Sequence, residues 1–210
     1  MFKKLLPILA LSTLTSFTAN AYVLNMEGSY LYDFISSGEG CAPDTFSTTM
    51  TADGSKISIL FDKFIADSMD DERRGRKRTS CDMRFTMHVP TGYSASLVKM
   101  DFRGYRDVPP GGYGALNTEY FFAGQRGPVN STQWGKEDEW DSGNYFVEDD
   151  LLISTQVWSA CGADVIIGAN SSVVAYKGFN EEASMVILDS LDSSVETLFQ
   201  YQLQWKECSE

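Results

Sequence analysis

Apolar and polar residues alternate with a period of two along much of this chain. The alternation is clearest over residues 83–89, 98–103 and 195–205, and it is weaker over residues 57–61. A period of two places successive side chains on opposite faces of a strand, so each segment has one apolar and one polar face. No stretch carries a helical stripe of comparable quality. The pattern therefore predicts antiparallel strands that bury one face and leave the other in water.

Turn signals separate the alternating segments and define the domain. Asp53-Gly54 lies between two such segments and predicts a tight hairpin, and Pro109-Pro110 marks a further break. About nine short strands in one chain predict an all-β fold, an antiparallel two-sheet sandwich that is jelly-roll-like. We assign residues 40–210 to this β-sandwich domain and residues 22–39 to an N-terminal extension or edge strand.

The first 21 residues have the composition of a secretory signal. Lys3 and Lys4 precede a short apolar run over residues 5–17, and Ala19-Asn20-Ala21 forms a small-x-small cleavage site. The apolar run is shorter than the ~20 residues that a membrane-spanning helix needs. We therefore expect residues 1–21 to be a signal peptide and the protein to be secreted, extracellular or periplasmic, without membrane insertion.

Four cysteines follow the predicted signal: Cys41, Cys81, Cys161 and Cys208. An even number of cysteines in an exported chain predicts two disulfide bonds, and the absence of a CxxC spacing argues against a zinc site. Four cysteines permit three pairings. Strand parity places Cys41 and Cys81 at the same end of neighbouring strands, which favours Cys41–Cys81 with Cys161–Cys208 and leaves the other two pairings open.

The charge of the chain limits its partners. The chain has 17 Lys and Arg against 29 Asp and Glu, a formal net charge of −12, which disfavours nucleic acid and anionic membrane surfaces. Residues 70–78 are the exception, since three acids precede five bases there. We predict an exposed loop in which these charges neutralise one another; a processing site and a contact for an anionic ligand are the alternatives.

Several short motifs occur in order along the chain. They are Gly40-Cys41-Ala42-Pro43, Asp101-x-Arg103-Gly104-Tyr105, Trp158-Ser159-x-Cys161-Gly162 and Leu203-x-Trp205-x-x-Cys208. Together with all four cysteines, they resemble a secreted family known as domain of unknown function DUF4360. Ala42 departs from the family's pattern, in which proline is expected. The resemblance implies a secreted, disulfide-bonded β domain, and it implies no activity.

Acidic residues and one histidine are candidates for chemistry. The alternation places His88, the single histidine, on the polar face of its strand, where we interpret it as a surface residue. Residues 137–141 form an acidic segment. It offers hard oxygen ligands for calcium, or paired carboxylates for a glycosidase, although solvated loop charge is the simpler interpretation. The candidate calcium ligands are Glu137, Asp138, Glu139 and Asp141. We predict no other cofactor.

Aromatic residues near the acidic segment are candidates for ligand binding. Exposed Trp and Tyr side chains on a sandwich can stack on sugar rings or anchor a protein partner. For Trp134 and Trp140, surface recognition and packing within loops are equally compatible with the sequence. The candidate ligand-binding residues are Trp134, Trp140, Tyr113 and Tyr145.

The function that these features favour is binding rather than catalysis. We predict a non-enzymatic module that binds a glycan or a protein surface, and we assign no catalytic residue. A carbohydrate-active hydrolase that uses the acidic residues, and a secreted inhibitor or colonisation factor, are the alternatives.

Overall fold

Strands dominate the regular structure of the protein. The computed structural model describes residues 28–70, 75–150, 157–188 and 199–208, so the predicted signal peptide lies outside the described residues. Within these ranges, the regular elements are β-strands and two single turns of 3-10 helix, Glu39–Cys41 and Phe179–Glu181. The described part of the chain contains no helix of the length and apolarity that crossing a membrane requires.

The strands are numbered in chain order. They are β1 Leu31–Ser37, β2 Phe46–Met50, β3 Lys56–Phe61, β4 Ile65–Asp67, β5 Arg76–Met87, β6 Tyr93–Val108, β7 Tyr113–Phe122, β8 Gln125–Trp134, β9 Asp141–Asp150, β10 Val165–Tyr176, β11 Met185–Ile187 and β12 Phe199–Glu207.

The strands form two antiparallel sheets. The five-stranded sheet has the order β1-β5-β10-β7-β8, and the seven-stranded sheet contains β2, β3, β12, β6, β11, β4 and β9. In the seven-stranded sheet, β12 and β11 both pair with one side of the long strand β6, while β9 pairs with its other side. Successive strands from β4 to β7 alternate between the two sheets. The predicted all-β, two-sheet sandwich is confirmed.

The hydrophobic core lies between the two sheets. On β5, Met83, Phe85 and Met87 point inward and are buried, as the alternation predicted. They belong to one buried cluster with Phe102 of β6 and Trp205 of β12 from the opposite sheet. Each such side chain contributes ~1.5–3 kcal/mol when it leaves water. The period-two pattern therefore identifies the surfaces that hold the sandwich together.

The hairpin predicted at Asp53-Gly54 joins β2 and β3. These two strands pair antiparallel, and Gly54 adopts a positive φ of 62° in the turn. The Asp53 carboxylate accepts hydrogen bonds from the Ser55 backbone N–H and from its hydroxyl. The indole N–H of Trp205 donates to the Gly54 carbonyl at 3.2 Å, which fastens the turn to the core.

Two segments outside the clearest alternating patterns contribute residues to strands. Residues 31–37 form β1, which among the described strands pairs only with β5 and so makes one edge of the five-stranded sheet. The loop predicted over residues 70–78 ends earlier than expected, because β5 begins at Arg76. Residues 71–74 lie outside the described residues. Pairing with the end of β10 extends β5 through its basic residues, and no local pattern signals such a long-range contact.

Both disulfide bonds join parts of the chain that are distant in sequence. Cys41, in the connection from β1 to β2, is bonded to Cys81 of β5, and Cys161, before β10, is bonded to Cys208, after β12. The pairing that strand parity favoured is confirmed. The bridges close loops of 40 and 47 residues.

Removing one bridge should lower the stability of the protein substantially. We expect Cys161→Ser with Cys208→Ser to reduce the free energy of unfolding by about 4 kcal/mol. Without the bridge, the unfolded chain regains the conformational entropy that closing a loop of this length removes. Cys41→Ser with Cys81→Ser should have a similar effect. Urea unfolding under non-reducing conditions measures both values. Reactive thiols in the unaltered folded protein would contradict the pairing.

Candidate functional site

Trp140 is an exposed aromatic residue with a fixed orientation. It directly precedes β9, and 52% of its surface is exposed. Its indole N–H donates a hydrogen bond of 2.5 Å to Asp107 Oδ1 on the neighbouring strand β6. Asp107 lies on the outer face of the seven-stranded sheet, because its neighbour Val108 points into the core. The indole therefore lies on the outer surface of the sandwich.

Further aromatic side chains lie on the same outer face of β6 and β9. Phe146 is 52% exposed, and the guanidinium of Arg103 lies over its ring at 5.2 Å. The hydroxyls of Tyr105 and Ser142 are 2.9 Å apart. We call this surface, formed by Trp140, Phe146, Tyr105, Arg103, Ser142 and Asp107, the β6–β9 face. It alternates apolar rings with hydrogen-bonding groups.

Tyr145 is buried in the core and Trp134 is partly buried against it, so neither lies on this face. Their ring centroids are 4.4 Å apart, and Arg106 lies over the indole of Trp134. Tyr145 is only 7% exposed, its hydroxyl donates to the Ile187 carbonyl, and burial raises the pKa of that hydroxyl. Tyr145 therefore packs beneath the β6–β9 face, and its ring is not accessible to a ligand.

Tyr113 lies on the opposite side of the molecule. It pairs with Tyr176 across β7 and β10, and the two rings meet edge to face with centroids 5.5 Å apart. The four aromatic residues predicted as one binding set are thus divided between the two outer faces and the interior. Side chains alternate between the two faces of each strand, and this alternation determines on which side each aromatic ring lies.

The candidate calcium ligands are engaged in contacts with bases or lie exposed in the segment before β9. Arg106 donates to Asp141 Oδ1 at 2.8 Å, and the Gly135 N–H donates to Oδ2 at 3.2 Å. Partial burial alone would raise the pKa of Asp141, but these hydrogen bonds outweigh it and hold the pKa below its usual range. Lys136 Nζ lies 2.6 Å from Glu139 Oε2 and lowers the pKa of that carboxyl.

These contacts bear on both chemical interpretations of the acids. A glycosidase acid needs a raised pKa, whereas the pKa values of Glu139 and Asp141 are lowered. Glu137 and Asp138 are exposed. Within the described ranges, no group of three His, Cys, Asp or Glu side chains could hold a metal ion. Calcium binding at this segment stays a prediction.

The structure gives His88 partners that sequence reasoning missed. Its Nδ1 lies 2.7 Å from Asp164 Oδ1, and the ring stacks on Tyr30 with centroids 4.8 Å apart. The hydroxyl of Tyr32 donates to Asp164 Oδ2 at 2.5 Å. Strands β1, β5 and β10 bring these residues together, so only knowledge of the pairing could have identified the cluster.

The family of the chain follows from a match that covers most of its length. Residues 30–208 match the family described as Domain of unknown function (DUF4360). The chain belongs to this family. The resemblance carried by its motifs and cysteines is thereby confirmed.

Known proteins similar to this chain include one from the fungus Arthroderma benhamiae. It is described as an uncharacterized secreted protein and is 26% identical over 174 residues, which are 82% of this chain and 69% of that protein.

Solved structures give only remote similarity. TmCBM61 in complex with β-1,4-galactotriose is 11% identical, covering 80% of this chain and 88% of that one, with a TM-score of 0.23. CBM35 from Paenibacillus barcinonensis is 8% identical, covering 88% and 97%, with a TM-score of 0.18. At these TM-scores, neither a fold nor a ligand is transferred.

The contact with Asp164 should change the titration of Tyr32. Its hydrogen bond to the carboxylate raises the pKa of Tyr32 to about 12. The folded state thus holds this proton more tightly than the unfolded chain, so the contribution to stability is complete below pH ~10 and declines as the pH rises towards 12. We expect Asp164→Asn to return the pKa towards ~10. NMR titration of ring-labelled tyrosines measures it, with Tyr32→Phe to assign the signal; an unchanged pKa in Asp164→Asn would contradict the contact.

Proposed function

We propose that the protein is a secreted, non-catalytic module that binds glycans through the β6–β9 face. Export is supported by the signal-like residues 1–21 and by the secreted relative. The observation that carries the proposal is the geometry of Trp140, an indole that is half exposed yet held by the Asp107 carboxylate.

A fixed, exposed ring suits stacking on a sugar. Because Asp107 already fixes the orientation of the indole, binding sacrifices little side-chain entropy. One face of a pyranose ring presents C–H groups that pack on an aromatic face, while its hydroxyls need polar partners. Tyr105, Ser142 and Arg103 supply such partners beside the ring. The mixture of rings and polar groups matches a sugar chain.

A protein partner fits this surface less well. Stable protein interfaces bury about 800 Å² on each side around an apolar, well-packed centre. The exposed rings of Trp140 and Phe146 are instead separated by polar and charged side chains. Strand β9, at the edge of its sheet, also carries Glu148, Asp149 and Asp150, and charges on an edge strand oppose the addition of another strand.

Replacing Trp140 should weaken glycan binding. We expect Trp140→Ala to reduce affinity at least about tenfold, equivalent to ~1.4 kcal/mol, in pull-down assays with insoluble cellulose, chitin and β-1,3-glucan and on an array of oligosaccharides. Asp107→Ala should cause a smaller loss, because it frees the indole without removing it. Tyr30→Ala is the matched control, since Tyr30 is 55% exposed and lies in the other sheet's edge region.

Two outcomes would overturn the proposal. One is that no glycan binds, or that Trp140→Ala binds as strongly as the unaltered protein. The other is release of new reducing ends from a bound polysaccharide, which would show catalysis. In that case Glu139→Gln would test whether the acidic segment is responsible.

A further inference from the structure

A concave surface lies on the outer face of the five-stranded sheet, on the side of the molecule opposite the β6–β9 face. It encloses about 830 Å³ where β5, β10 and β7 run side by side. Its lining combines Arg76 and Arg78 with Asn117, Val174 and Tyr176, and Lys77 and Asp70 also contribute to it. We call it the β5–β10 groove. It concentrates positive charge on a protein whose formal net charge is −12.

The two arginines of the groove differ from the other described arginines, each of which has an ion-pair or ring partner. Arg76 and Arg78 are both exposed and lie two residues apart on β5, so they share a face with ~7 Å between their positions. Within the described part of the chain, neither makes an ion pair with a carboxylate. By contrast, Lys77, which lies between them, pairs with Glu39 at 2.9 Å.

Exposed arginines elsewhere in the described residues have partners of their own. Arg84 pairs with Asp82, and Arg126 pairs with Glu119. Both of these guanidinium groups also lie 5.8 Å from the ring centroid of Phe121. No described carboxylate is paired with the guanidinium groups of Arg76 and Arg78, and each can bind a carboxylate or sulfate through two parallel N–H donors.

The rest of the groove offers an apolar floor and an aromatic end. Arg78 is paired across the strands with Val174, and Arg76 is paired with Tyr176. Tyr176 is 38% exposed and is held edge to face by Tyr113, so its orientation is fixed. Asn117 adds an amide near the other end. Cations along one side, a small apolar floor and a fixed ring suit a compact ring-shaped ligand that carries a negative charge.

A peptide or a nucleic acid fits the groove less well. Strands β10 and β7 are each paired on both sides, so neither can be extended by an acidic peptide that adds as a further strand. The net negative charge of the protein repels a long polyanion such as nucleic acid. A short ligand with one or a few anionic groups avoids most of that repulsion.

We propose that the β5–β10 groove binds an acidic sugar, with its carboxylate held by Arg76 and Arg78 and its ring packed on Tyr176 and Val174. The site is separate from the β6–β9 face and does not depend on glycan binding there. Arg76 and Arg78 recognise the charge, and Tyr176 distinguishes a sugar ring from a simple anion.

Calorimetric titration of the oxidised mature protein with trigalacturonic acid tests the proposal. We expect binding that weakens with added salt, and an affinity at least tenfold lower in Arg76→Gln with Arg78→Gln. Tyr176→Ala should also weaken binding severalfold. Trp140→Ala should leave it unchanged, so failure of this site and failure of the β6–β9 face are distinguished.

Arg84→Gln with Arg126→Gln is the matched control. It makes the same change in net charge on the same outer face, away from the groove, and should retain affinity within twofold. Thermal unfolding of each variant checks that it is folded.

Further titrations distinguish an acidic sugar from a neutral sugar, a simple anion and an acidic peptide. Cellotriose should not compete with trigalacturonic acid for the groove, and inorganic sulfate should bind far more weakly than the acidic sugar. Equal affinity for sulfate, equal loss in the control pair, stronger binding of a poly-glutamate peptide, or no binding of trigalacturonic acid would each overturn the proposal.

Discussion

The whole structure depends on contact between the inner faces of two sheets. Phe102 of β6 and Tyr120 of β7 meet across the core with ring centroids 6.3 Å apart, and Trp205 is completely buried beside the first hairpin. Close packing leaves little freedom at such positions, because a change of even one methylene group alters the fit. The outer faces carry no such restriction. Differences in binding chemistry can therefore accumulate there without loss of the fold.

One polar contact inside the sandwich also constrains the register. Asp149 of β9 points inward and accepts hydrogen bonds from the hydroxyls of Tyr120 and Thr118 on β7, in the other sheet. Burial, followed by the charge of Asp149, raises the pKa of Tyr120 well above its usual range. A slip of β9 by one residue would turn Asp149 outward and bring Glu148 or Asp150 into its place. The contact thus favours the observed pairing of β9 with β6.

The sequence was most informative where structure is local. Alternation identified the inward residues of β5, Asp53-Gly54 identified a hairpin, and strand parity favoured the observed disulfides. These features depend on the period of a strand or the conformation of a turn, which neighbouring residues determine. Membership in the family agreed with the same features.

Features that depend on pairing between distant strands were not accessible in this way. The sequence could not assign Trp140 and Tyr113 to opposite outer faces, because that requires the sheet to which each strand belongs. The partnership of His88 with Asp164, 76 residues away, has the same origin. Arg76 was expected in a loop, and only pairing with Tyr176 makes it part of a strand. A site whose residues come from several strands can therefore be identified only once the pairing register of those strands is known.

The opposite placement of the two proposed sites has a consequence for how the protein would act. The β6–β9 face and the β5–β10 groove belong to different sheets, with the core between them. A single sugar chain would have to pass around the edge of the sandwich to reach both. Simultaneous occupation by two chains is geometrically simpler, and each would bind without contacting the other. Free energies of binding at such separate sites add independently. With both proposed sites occupied, such a module would hold a sugar chain on the β6–β9 face and a short acidic sugar in the β5–β10 groove, and the disulfide-bonded core would fix the orientation of the two.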